Sequence, residues 1–155
     1  MAAGSGQYGG CMTEDALFEL FSLERHVDSS GDVWYYNAQG KWHREYGPAR
    51  VRADGSKFWY QDGLLHRLDG PAVESADGIH AWYQGGRLHR VDGPAFEQPD
   101  GHRAWFQNGK RHRIDGPAVE HSDGHREWYI NGLPLTEAAW QQAVASMGLH
   151  AQSID

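Results

Sequence analysis

From Gly31 onward, apolar and polar residues alternate over short stretches, and glycine interrupts them every few positions. Pro71–Ala76 and Ile79–Gln84 are two such stretches, joined by Asp77-Gly78. Alternation with a period of two, cut by Asp-Gly, predicts short antiparallel strands connected by tight turns. The pattern recurs every 23 residues. His-Arg falls at His43, His66, His89 and His112, and Gly-Pro-Ala follows at Gly47, Gly70, Gly93 and Gly116. Asp-Gly comes at Asp54, Asp77, Asp100 and Asp123, then Trp59, Trp82, Trp105 and Trp128, then Gly63, Gly86, Gly109 and Gly132. Five columns in one register define a repeat.

If Asp-Gly closes a two-residue turn, Val73 faces Trp82, Phe96 faces Trp105 and Val119 faces Trp128. On the other face Ala72 meets Tyr83, Ala95 meets Phe106 and Ala118 meets Tyr129, with Glu120 opposite Glu127. A bulged turn would shift every pair. Gly85-Gly86, Asn108-Gly109 and Asn131-Gly132 give a second turn that brings His89 across from Trp82 and His112 across from Trp105. The expected fold is mainly β: a solenoid-like ribbon of repeated β-hairpins in a meander, with helical caps.

The ends differ from the middle. Thr136 can cap a helix through about Met147, with Trp140, Ala143, Val144 and Met147 on one stripe and Gly148 as terminator. Thr13 to Arg25 reads as a second helix using Leu17, Leu20 and Phe21. The chain thus divides into a glycine-rich lead (1–12, flexible or a cloning remnant, with Met12 a possible natural start), an N-terminal cap (13–30), about four and a half repeats (31–134), a capping helix (135–148) and a tail (149–155).

Composition sharpens this picture. The 155 residues carry seven Trp, seven Tyr and 20 Gly, so the expected core is aromatic rather than aliphatic. Fourteen Lys and Arg against 21 Asp and Glu give a net charge of −7, which argues against duplex DNA or an anionic membrane as partner. A single cysteine and no long apolar run suit a cytoplasmic protein.

The string Trp105-Phe106-Gln107-Asn108-Gly109-Lys110-Arg111-His112, with Asp-Gly every 23 residues, resembles MORN repeats, which are 23-residue β-hairpin units with an Asn-Gly-Lys-x-His step. Here Asn-Gly comes two residues earlier, and Gly-Pro-Ala replaces a second Gly-x-Gly. The chain is similar to the MORN-variant repeats of bacterial antitoxin and immunity proteins. It also resembles His-Arg-x-Asp-Gly-Pro-Ala arrays of large viruses and phages, whose Asn-Gly-x-x-Leu-Thr-Glu ending matches Asn131 to Glu137. The resemblance covers about residues 31–137 and implies binding rather than chemistry. Trp34 to Gly40 is separately similar to choline- and glucan-binding repeats.

No nucleophile elbow, phosphate loop or zinc-protease helix is present, and a His-x-x-Asp pair that recurs at His66/Asp69, His89/Asp92 and His112/Asp115 is unlike a unique catalytic constellation. The chain reads as a non-enzyme without a cofactor. Equivalent histidines would stand about 10–14 Å apart, too far to share a metal ion, and are expected to stack on Trp and bond to a turn. The candidate partner-binding face combines Tyr60, Tyr83, Phe106 and Tyr129 with Glu74, Glu97 and Glu120, suiting a basic protein such as a nuclease, toxin or defence effector. The alternative is a carbohydrate or choline ligand on Trp59, Trp82, Trp105 and Trp128 edged by Arg67, Arg90 and Arg113. The ribbon ends are expected to offer a route to homodimers. Ten histidines further suggest that affinity for a basic partner falls between about pH 7 and 5.

Overall fold

In the computed structural model, which describes residues 24–148, the Asp-Gly pairs at Asp54, Asp77, Asp100 and Asp123 each sit in a three-residue loop rather than a two-residue one. The Gly78 N–H donates to the Ser75 carbonyl and the Ser75 N–H to the Ile79 carbonyl, both at 2.9 Å. Gly78 closes the loop at φ +87°, a left-handed conformation that glycine adopts without a Cβ penalty. The extra residue shifts the pairing by one from the expected register. Val73 lies opposite Ala81, Phe96 opposite Ala104 and Val119 opposite Glu127. Glu120 lies opposite Arg126, so the expected Glu120–Glu127 repulsion is replaced by an opposite-charge pair.

The second turn is as expected. Asn108-Gly109, at φ 51° and 79°, forms a two-residue turn between Gln107 and Lys110, and the His112 N–H donates to the Trp105 carbonyl at 3.0 Å. Repetition of the two turns builds an 11-stranded antiparallel sheet running from Glu24–Val27 to Leu133–Leu135, most of its strands only two residues long. Each repeat also carries an outlying hairpin: Tyr60–Gln61 with Leu64–Leu65, Tyr83–Gln84 with Arg87–Leu88, and Phe106–Gln107 with Lys110–Arg111. Residues 13–23 of the helix expected from Thr13 to Arg25 lie outside the described residues, which begin at Glu24. From Glu24 to Val27 the chain is a strand paired with Val33–Tyr36.

Through the repeats the buried positions are mainly alanine rather than aromatic, and the aromatic rings buried among the described residues, Tyr35 and Trp140, lie towards the two ends. Ala49, Ala72, Ala95 and Ala118 have no exposed surface, and Ala81 and Ala104 are nearly as buried. The backbone of this spine is tied to the tryptophans: the N–H groups of Trp59, Trp82 and Trp105 donate to the carbonyls of Ala72, Ala95 and Ala118, each at 2.8 Å. The tryptophans stand beside this alanine spine, half-buried.

The last unit is closed by the helix α1 (Glu137–Ser146). Thr136 Oγ1 accepts the Ala139 N–H at 3.2 Å, and Gly148 follows the helix at φ +71°. Trp140 and Val144 pack with Ile130 against Ile114, Trp128, Leu135 and Ala143, whereas Met147, placed on the same stripe by its spacing, is 51 % exposed. The Trp140 indole N–H donates to the Arg113 carbonyl at 2.9 Å, fixing the helix to the preceding repeat. Eight residues after Trp59, Trp82 and Trp105 stands an arginine; eight after Trp128 stands Thr136, and the helix begins there.

Candidate binding surface

The His-Arg-x-Asp-Gly-Pro-Ala motif is a structural strut. The Arg67, Arg90 and Arg113 guanidinium groups lie 4.0, 4.0 and 3.8 Å from the ring centroids of Trp59, Trp82 and Trp105. In Arg113, Nε donates to Asp115 Oδ1 at 2.8 Å and Nη1 to the Pro117 carbonyl at 3.1 Å and to Glu120 Oε1 at 3.0 Å. Arg67 repeats the set with Asp69, Pro71 and Glu74, and Arg90 with Asp92 and Pro94. The glycine of the motif follows from this packing. A Cβ on Gly70, Gly93 or Gly116 would stand 2.9–3.0 Å from the guanidinium carbon, so a side chain there would displace the arginine, which glycine avoids. The guanidinium groups hold the Asp69 and Asp92 carboxyls below the usual range by direct hydrogen bonding.

The repeat histidines serve the turns. His43, His66, His89 and His112 accept through Nδ1 the backbone N–H of Asp62, Gly85, Asn108 and Asn131, at 3.1–3.2 Å. Each therefore ties its own repeat to the next tight turn, as expected. The group over the tryptophan ring is the arginine's guanidinium and not the imidazole, which corrects that part of the expectation.

The one-residue register shift also redistributes the expected partner-binding residues. Glu74, Glu97 and Glu120 fall in a single cross-strand row with Lys57, His80, Arg103 and Arg126, in which acidic and basic side chains alternate. Alternation along Ala81-Trp82-Tyr83 puts Trp82 with His80, whose ring centroid is 6.3 Å away, and Tyr83 with Ala81 on the other face. The glutamates thus accompany the Trp–Arg ladder and not the Tyr/Phe column. Tyr60, Tyr83 and Phe106 pair instead with Leu65, Leu88 and Arg111 in the outlying hairpins, half-buried. Tyr60 meets Trp42 edge-on at 4.8 Å, and burial raises its phenol above the ordinary value. Tyr129, opposite Pro134, donates to Glu127 Oε2 at 2.9 Å and accepts from Arg111.

What stands free is the variable residue between His-Arg and Asp. Leu68 and Val91 are 76 % and 78 % exposed, each beside an Asp69 or Asp92 carboxylate open to solvent. They flank two equivalent clefts. One, of about 450 Å³, lies between the Arg44–Gly47 and His66–Asp69 loops over Trp59; the other, of about 510 Å³, lies between Arg90–Pro94 and His112–Asp115 over Trp105. Sequence reading passed over Leu68 and Val91 because the x position carries no chemistry. Its signal was an aliphatic residue placed next to turn residues that cannot bury it. At the third copy Ile114 is covered by α1.

No helix among the described residues is long and apolar enough to cross a membrane. No protein-family model, curated protein or solved structure matches the chain.

Proposed function

We propose that the protein is a non-catalytic, protein-binding repeat module that sequesters a basic effector, in the manner of an immunity or antitoxin factor. The observation that carries this reading is the edge formed by Leu68 and Val91 with Asp69, Asp92 and Asp115. Aliphatic tips alternate there with carboxylates whose side chains are 79–85 % exposed. Apolar side chains exposed to this degree gain by association, and the surrounding negative charge selects a positively charged surface. The arginines offset part of this charge, each pairing with the aspartate of its own loop, but Arg67 and Arg113 face a second carboxylate, Glu74 and Glu120, so carboxylates outnumber guanidinium groups along the edge. MORN-like relatedness, an expectation from the sequence, agrees with a binding role. The carbohydrate alternative is weakened because Trp59, Trp82 and Trp105 each have a ring face covered by a guanidinium. Affinity capture from the source cell's lysate tests the proposal. A stoichiometric basic protein, released as salt rises, supports it; capture of glycans alone, or of nothing, overturns it.

A further inference from the structure

Away from the repeat columns, the hairpin turn His121–His125 brings together side chains that no repeat-wide role explains. His121 and His125 flank the loop, joined through the His121 N–H to the His125 carbonyl at 2.9 Å, and their ring centroids are 5.3 Å apart. Glu127 lies two residues on, hence on the same face as His125. Its Oε1 is 2.8 Å from His121 Nε2. One ligand atom from each of the three residues falls within 4.8 Å of the others. From these positions we infer that His121, His125 and Glu127 form a divalent transition-metal site, with zinc the ion that best fits two imidazoles and a carboxylate.

The ligand type and number match an open zinc site, in which three protein ligands leave a position for water. Two atoms each about 2.0–2.2 Å from one ion stand at most about 4.4 Å apart, so an ion draws the three ligand atoms slightly together from their spread of up to 4.8 Å. The carboxylate is also oriented from behind: its Oε2 accepts the Tyr129 hydroxyl at 2.9 Å and Arg111 Nη1 at 3.1 Å, leaving Oε1 aimed at His121. Such outer partners fix a ligand's direction. Binding replaces the Nε2–Oε1 hydrogen bond with the ion held between the two atoms, the neutral imidazole then carrying its proton on Nδ1. His102, whose ring centroid is 4.9 Å from that of His121, borders the site without belonging to the triad. The periodic histidines cannot compete, because their Nδ1 atoms already accept turn N–H groups.

Calorimetric titration of the untagged, chelator-treated full chain with zinc chloride tests this, alongside cobalt(II) absorption as a readout of coordination geometry. One equivalent of zinc is expected, with affinity reduced more than about tenfold by His125→Ala and by the shape-preserving Glu127→Gln, and about tenfold by Tyr129→Phe. His80→Ala, which removes an imidazole elsewhere on the sheet, should leave the isotherm unchanged. Circular dichroism of each variant separates lost ligand from lost fold. The site is overturned by the absence of stoichiometric binding to the wild-type chain, or by binding that survives both His125→Ala and Glu127→Gln.

Discussion

The Arg90 guanidinium rests between the Trp82 ring, 4.0 Å away, and the backbone of Gly93, where a Cβ would approach its carbon to 3.0 Å. A methyl group on Gly93 therefore requires the guanidinium to give way by a few tenths of an ångström against the indole. Gly93→Ala is expected to destabilise by up to about 1 kcal/mol, part of the worth of a cation–π contact, and to cost less in an Arg90→Ala background. Denaturant melts of the four-member mutant cycle measure this coupling. The arginine also has a pH consequence. Hydrogen bonding from Arg90 lowers the folded-state pKa of Asp92 below its unfolded value, so the bond adds stability at neutral pH that is lost as pH falls through the folded pKa, below about pH 4. Asp92→Asn should accordingly flatten the fall of the melting temperature in that acidic window and leave its shape above about pH 5 unchanged.

Two kinds of turn decide the elements, and they were unequally legible. Asn108-Gly109 and its counterparts need positive φ at both residues, which Asn and Gly supply, so the hairpins that place His112 opposite Trp105 were readable from the letters alone. Asp77-Gly78 looks the same but serves a three-residue loop in which only Gly78 is left-handed. That choice depends on how the next strand pairs, a tertiary matter, and one residue of slip moved Glu74, Glu97 and Glu120 to the opposite face from Tyr83 and Phe106. The alanine spine was hidden for a related reason: the burial of Ala72 and Ala95 depends on how the repeats pair, which their own sequence does not state. The capping helix was readable because Thr136, Trp140, Val144 and Gly148 are local signals. At this scale the histidine link is the element-to-element tie. His89→Ala deprives the Asn108 N–H of its acceptor and is expected to lower stability by about 1 kcal/mol, as urea unfolding can measure.

Across the whole molecule, charge and apolar surface are sorted by the repeat. The sheet's charged row alternates in sign and is largely self-satisfied, while the loop edge keeps Leu68, Val91 and their aspartates for something else. Helix α1 demonstrates how the next apolar position along that edge is covered, by setting Trp140 and Val144 over Ile114. Removing residues 137–155 should uncover Ile114, Trp128 and Ile130 and make the protein self-associate, detectable as a concentration-dependent mass in analytical ultracentrifugation. The central claim is that the Leu68–Val91 edge meets a partner while the Tyr/Phe column holds the hairpins together. Partner capture and thermal melting, measured side by side for Leu68→Ser/Val91→Ser and for Tyr83→Ala/Phe106→Ala, test it most directly. The account predicts that the first pair loses capture at an unchanged melting temperature and the second melts several degrees lower. Full capture by the first pair, with capture abolished and the melt unchanged in the second, would contradict it.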